Sequence, residues 1–273
     1  MTASTSASSP VLTTEPAPLR VQVWSDVVCP WCYVGKRRLE AAVSQFSGAD
    51  VELVWRSFQL DPSAPHPGEP GHRRGVAEHL GEKYGGGLAA GQAMSEQMTQ
   101  VAAGDGLDFR LDLAGVVNTT DAHRVLHLAR AVESETRAPG LQDRVKESFL
   151  SAYFTLGRDV SDHDVLRELA EQAGMPGERV AEVLGSTAYA GNVTEDQQQA
   201  VAYGATGVPF TVVDGRYGVS GAQPVDVFLQ ALQRARADRQ GALVTLTSDA
   251  GVHEPGHEHE GSTECGPDGC EIH

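Results

Sequence analysis

Cys29-Pro30-Trp31-Cys32 stands between two segments of different periodicity. Before it, Leu19 to Val28 reads as a strand. After it, Gly35 to Phe46 has the spacing of an amphipathic helix, with Leu39, Val43 and Phe46 on one face. A second β-rich run, Val51 to Phe58, comes next. Strand, helix and strand in this order predict a parallel βαβ unit, because parallel neighbours need a long crossover rather than a tight turn. The cysteines then occupy the strand-to-helix corner. The first lies at the helix opening, where unpaired backbone N–H groups and the positive end of the peptide dipoles favour a thiolate. The second follows one turn later, within reach of a disulfide. A dithiol placed in this way exchanges electrons with other thiols.

Asp61-Pro62 and the Pro/Gly-rich stretch to Gly71 close this unit. From about residue 72 to 188 the periodicity is helical. Val125, Leu128, Ala129 and Val132 recur at helical spacing, as do Leu141, Val145, Phe149 and Ala152, and Val165, Leu169 and Ala173. Ser161 before Asp164 predicts a helix start, and Pro176 suits the first turn of the next helix. Short strands then return. Pro209 to Val213, the turn Asp214-Gly215 and Arg216 to Val219 predict a hairpin, followed by a helix burying Val225, Phe228, Leu229 and Leu232. A β-α-β piece and a β-β-α piece flanking a helical block is the layout of a thioredoxin-like α/β fold with a large all-helical insertion. The expected division is 1–18 as a disordered segment, 19–62 and 189–240 as two halves of the thioredoxin-like domain, 63–188 as the insertion, and 241–273 as a flexible tail.

Charge and composition narrow the function. A net charge of −16 over 273 residues argues against nucleic acid and anionic membrane surfaces, both of which would repel the chain. No apolar run approaches the roughly 18 residues a membrane helix needs. Met1 to Pro18 is rich in Ser, Thr and Pro, with neither a basic start nor an apolar stretch, so the expected location is the cytosol. There, four cysteines in two close pairs point to catalysis or metal rather than to a structural framework.

Ser25-Asp26-Val27-Val28-Cys29-Pro30-Trp31-Cys32-Tyr33-Val34-Gly35-Lys36 resembles the active-site signature of the DsbA-like FrnE family of thiol–disulfide oxidoreductases. Phe58 to Pro62, Asn118 to Arg124 and Gly204 to Phe210 match the same family, so the resemblance spans about residues 20–236. It implies that Cys29 attacks, that Cys32 resolves, and that Val208-Pro209 is a cis peptide beside the dithiol. Pro30 and Trp31 then border the substrate with Val208 and Pro209. Where the periplasmic relatives carry Pro-His between the cysteines, this chain carries Pro30-Trp31, and tryptophan brings no charge to a thiolate. The expectation is a Cys29 thiol lowered only toward about 7, and a less oxidising couple.

Other residues keep more than one reading. His123 and His127 lie four apart on a predicted helix, which suits a metal, a groove wall beside the dithiol or plain packing. Arg124 stands where a zinc hydrolase has glutamate and no third ligand is evident, so no metal is assigned and His123 is placed at the substrate groove. Asp26 is either a buried carboxylate that moves protons for Cys32 or a strand-end cap. Met94, Met98 and Val101 share a face that is either core or an adaptable peptide-binding surface. In the tail, Cys265-Gly266-Pro267-Asp268-Gly269-Cys270 has turn chemistry that lets its sulfurs meet. An auxiliary redox pair, a zinc site with His257 and His259, and no function all remain open; Cys265 and Cys270 are carried as auxiliary redox residues.

The expected activity is exchange of disulfides with protein or low-molecular-weight thiol partners, without a bound cofactor. The rival is a glutathione-dependent isomerase or kappa-class transferase similar to 2-hydroxychromene-2-carboxylate isomerase. Those enzymes carry a serine near the Cys29 position and activate a bound thiol. A non-enzymatic, chaperone-like binder is a third reading, if the insertion presents an apolar groove.

Overall fold

The computed structural model describes residues 17–240. The Cys265–Cys270 pair and the tail histidines lie outside the described residues. The first unit is β1 (Leu19–Ser25), α1 (Pro30–Gln45) and β2 (Val51–Ser57), with the strands parallel from Leu19↔Val51 to Ser25↔Ser57. Six helices follow: α2 (Val76–Lys83), α3 (Gly87–Gly104), α4 (Thr120–Thr136), α5 (Leu141–Phe154), α6 (His163–Gln172) and α7 (Gly177–Leu184). The chain then returns through α8 (Ala190–Ala202), the hairpin β3 (Phe210–Val213) and β4 (Tyr217–Ser220), and α9 (Val225–Gln240).

The sheet order is β2-β1-β3-β4. β3 runs antiparallel to β1, with Trp24 opposite Phe210, so strands almost two hundred residues apart close one sheet. Asp214 and Gly215 both take left-handed φ, 54° and 69°, the conformation an Asp-Gly hairpin turn requires. Strand alternation divides the core. Leu19, Val21, Val23 and Val213 face α1 and α9 through Leu39, Ala42, Phe228 and Leu232. On the other face Trp24 and Val212 pack with Ala200 of α8.

The insertion has its own core, to which α1 contributes Tyr33 and Val34. Tyr33, Phe109 and Phe154 form a continuous aromatic stack, with centroids 5.9 and 4.5 Å apart. The cysteine-bearing helix is therefore the joint between sheet and insertion. α2 and α3 pack closely at glycine: a Cβ on Gly91 would lie 1.8 Å from the Ala77 carbonyl oxygen, and one on Gly81 2.0 Å from that of Gly87.

Several local expectations shift. α1 begins at Pro30 rather than Gly35, because a proline with fixed φ and no N–H suits the first helical position. The strand ends at Ser25, where the Asp26 carboxylate accepts the Val27 N–H at 2.7 Å and turns the chain. Asp162, not Ser161, caps α6, accepting from the Val165 N–H at 3.0 Å; the Ser161 hydroxyl donates to Asp159 instead, at 2.6 Å. Pro176 is the cap of α7 rather than part of its first turn. On α9 the buried residues are Phe228, Leu232 and Ala235, while Val225 and Leu229 are only partly covered.

Candidate active site

Cys29 is the N-cap of α1, extended at φ −90° and ψ 114°, and its carbonyl accepts the Cys32 N–H at 3.0 Å. Both cysteines are free thiols within hydrogen-bond reach of each other. Their surroundings differ. Cys29 Sγ donates to the Val208 carbonyl at 3.6 Å and borders a cavity of about 550 Å³. Cys32 does not line that cavity and is 1% exposed. Of these two sulfurs, Cys29 is the one open to a molecule arriving from the cavity.

Pro30, Trp31 and Val208 also line the cavity, and Trp31 is 45% exposed at its mouth. The Val208–Pro209 bond is cis. Pro209 does not line the cavity; it packs on α1 at Gly35, where a Cβ would meet its Cγ at 3.0 Å. The far wall comes from the insertion: Val76, Leu80, Met94, Met98 and Val101 make it mostly apolar. Met94 and Met98 are thus neither purely core nor purely surface; both face the space in front of Cys29.

Behind the dithiol lies a buried polar cluster. The Asp26 carboxylate accepts the Val27 N–H at 2.7 Å, the Leu60 N–H at 2.8 Å and His123 Nε2 at 3.2 Å. Burial alone would raise this carboxyl, but the His123 hydrogen bond and charge, the Leu60 N–H and the Lys146 ammonium outweigh it, and Asp26 is held below the usual carboxylate range. His123 is pushed down by its own burial, which its hydrogen bond and the charge of the Asp26 carboxylate only partly oppose. The placement of His123 at the groove is corrected here. It is fully buried and does not line the cavity, because the Asp26 turn lies between them. His127, one turn on, faces Ser57 and Asp196 instead, at 3.1 Å each, so the two imidazoles do not converge. Among the described residues no group of three or more His, Cys, Asp or Glu is placed to hold a metal.

The expectation of a lowered Cys29 thiol is also corrected. Cys29 is pushed up, first by its hydrogen bond with Cys32, then by burial and the charge on Cys32; the Cys32 N–H opposes this without prevailing. For Cys32, burial is outweighed by the hydrogen bond with Cys29, the Lys146 charge, the Ser25 hydroxyl and the Asp26 N–H, and its thiol lies below the ordinary value. Lys146, which sequence reasoning missed, is a fully buried lysine of α5 whose Nζ donates to the Ser25 carbonyl at 3.4 Å. Its signal was its spacing: Gln142, Lys146, Phe149 and Tyr153 recur at positions that helical periodicity assigns to the core.

A dithiol at a helix start, a cis-proline loop at its side and a helical layer across the cavity together describe one architecture. Residues 20–233 match the DSBA-like thioredoxin domain family. The chain belongs to that family. It is 38% identical to a probable DsbA oxidoreductase from Streptomyces coelicolor, with a TM-score of 0.72 over 93% of this chain and 99% of that one. An uncharacterised protein, YwbO of Bacillus subtilis, is 27% identical over 220 residues, 78% of this chain and 96% of YwbO. The fold extends to 2-hydroxychromene-2-carboxylate isomerase, 15% identical with a TM-score of 0.55 over 82% of this chain and 98% of that one. Membership makes the chain a thiol oxidoreductase of DsbA-like type at the family level. Among the described residues no helix is long and apolar enough to cross a membrane.

Proposed function

We propose that the Cys29–Cys32 dithiol exchanges disulfides with protein or low-molecular-weight thiol substrates, without a bound cofactor and in the cytosol. The observation that carries this reading is the asymmetry of the pair: Cys29 borders the cavity, while Cys32 is buried behind it. Cys29 Sγ loses its proton to solvent and attacks a substrate disulfide; the substrate S–S bond breaks, and one substrate sulfur leaves as thiolate and takes up a proton from solvent. Cys32 then attacks Cys29 Sγ in the mixed disulfide and expels the second substrate sulfur. Two electrons pass from the dithiol to the substrate, and the enzyme ends as the Cys29–Cys32 disulfide. The reverse sequence oxidises a substrate dithiol. Pro30, Trp31 and Val208 shape the near side of the cavity, Pro209 seats the Val208 loop on α1, and the methionine-bearing wall receives the apolar neighbours of the reacting cysteine.

The isomerase reading shares the fold and differs in its chemistry, since it needs no redox cysteine. Glutathione-coupled reduction of a disulfide peptide, run beside thiol-dependent isomerisation with the wild type and Cys29→Ser, separates the two. Disulfide exchange is expected in the wild type alone. Isomerase turnover that survives in Cys29→Ser, with no exchange in either protein, would replace the proposal with its rival.

A further inference from the structure

The two walls of the cavity in front of Cys29 come from distant parts of the chain. Val208, in the loop before β3, belongs to the near wall, and Met94, Met98 and Val101 of α3 belong to the far one. Apolar packing is non-directional, so it does not by itself fix one wall against the other. A row of polar links does. The Gly221 N–H donates to the Pro209 carbonyl at 2.8 Å, which ties the near-wall loop to the segment after β4. The next residue, Ala222, accepts from Arg38 Nη1 of α1 at 2.6 Å. Arg38 then sets Nε and Nη2 on the two carboxylate oxygens of Asp105, each at 2.9 Å. Asp105 caps the C-terminal end of α3, its own N–H donating to the Ala102 carbonyl at 3.0 Å. The Arg38 and Asp105 side chains are only 22% and 18% exposed, so the pair is largely shielded from water. A fork closed on both oxygens fixes direction as well as distance. Among the described residues, no other hydrogen bond or ion pair joins residues 76–105 to residues 19–62 or 189–240. Gly35, one turn before Arg38, lets both loops sit on α1: a Cβ there would lie 3.0 Å from Pro209 Cγ and 3.5 Å from Ala222 Cβ.

We propose that Arg38 is a positioning residue that sets the width of the substrate cavity: it ties the Pro209 loop and the end of α3 to the helix that carries Cys29. The joint thereby selects substrates by the apolar bulk beside their reacting sulfur. A group large enough to touch both walls gains from their fixed spacing, whereas a disulfide too small to reach α3 gains nothing from it. The role needs a guanidinium. Three donors of one rigid plane serve two partners on different elements, and an ammonium on a flexible stem cannot reproduce that fork. Asp105 is the other half of the joint, so loss of either side chain breaks the same link.

The inference rests on the proposed dithiol exchange, and its test separates the two. Two disulfides are reduced by the full chain, by Arg38→Lys, by Asp105→Asn and by the double variant. One is bis(2-hydroxyethyl) disulfide; the other is the disulfide of a short peptide with phenylalanine on both sides of its cysteine. In each variant the ratio of kcat/KM for the peptide to that for the small disulfide is expected to fall about five- to tenfold, mostly through KM, as for typical coupling between connected sites. The double variant is expected to be no worse than the poorer single one, because both substitutions break one link. A second measurement uses the wild type and avoids any folding defect. Hydrogen exchange of the Arg38 Nε–H is followed by NMR with and without the same peptide carrying serine for cysteine, and the bound peptide is expected to slow it. A ratio that stays constant in folded variants, losses that multiply in the double variant, or an Nε–H that exchanges equally fast with and without peptide would overturn the inference. A wild type whose Nε–H slows with peptide but which exchanges neither disulfide would instead sink the functional reading.

Discussion

Asp26→Asn tests whether the buried cluster behind the dithiol is built as described. Oδ1 of Asp26 accepts from Val27 and His123, and Oδ2 accepts the Leu60 N–H at 2.8 Å. Asparagine retains one acceptor oxygen and sets an NH₂ group against a buried N–H. Losing one charge-assisted bond costs about 1.5–3 kcal/mol, and leaving a donor unsatisfied about 1–3, while burying an amide instead of a charge returns part of this. The net expectation is a loss of about 2 kcal/mol at pH 7, a large part of a typical stability of about 5–15 kcal/mol. In urea the midpoint should fall by about 0.7 M at a slope of about 3 kcal/mol/M. The pH dependence has a definite sign. A carboxyl lowered by folding contributes stability that is present above its unfolded value, about 3.9, and is lost as pH falls through the folded value. The gap between wild type and variant should therefore close below about pH 4. Because the Asp26 charge raises Cys29, alkylation of Cys29 should also start at lower pH in the variant. A variant as stable as the wild type to within about 0.5 kcal/mol, with an unmoved alkylation profile, would refute this reasoning.

Gly35→Val should push the Pro209 loop off α1, since a Cβ there already meets Pro209 Cγ at 3.0 Å; exchange slows at least tenfold and overpacking costs about 1–3 kcal/mol, read by peptide-disulfide kinetics and urea unfolding. Gly91→Ala places a methyl 1.8 Å from the Ala77 carbonyl and forces α2 from α3, so KM for an apolar cysteine peptide should rise more than kcat falls. Truncation after Gly241 addresses the Cys265–Cys270 pair: if it exchanges with Cys29–Cys32, the shortened chain shows a changed exchange rate or reduction potential, whereas equal values and no zinc in the full-length protein make the tail a bystander.

The sequence carried its architecture in local signals. The strand before Cys29, the helix after it, the helical stripes around Val125 and Leu141, and the Asp-Gly turn each reflect chemistry within a few residues. That the two half-sheets pair through space also follows, because neither could leave its edge exposed, but the choice of β1 and β3 as partners comes from the structure. What stayed hidden in the site depends on charges that meet across long separations. Helix position alone predicts a stabilised Cys29 thiolate, but burial and the hydrogen bond with Cys32 oppose it, and the buried Lys146, 114 residues beyond Cys32, joins the site only through the fold. His123 was visible as part of a helix opening, yet periodicity does not say which face meets the groove, and the Asp26 turn stands between. Asp26 itself was legible as a buried carboxylate or a cap; its third donor, the Leu60 N–H, comes from 34 residues away.

The most direct test of the central claim is rapid acid quenching of the reduced protein mixed with a disulfide peptide, followed by mass-spectrometric mapping of the bonds formed. The account predicts a peptide adduct on Cys29 that appears first and decays into the Cys29–Cys32 disulfide, and an adduct that persists on Cys29 in Cys32→Ser. An adduct that forms first on Cys32, or a Cys32→Ser protein that turns over as fast as the wild type, would contradict it.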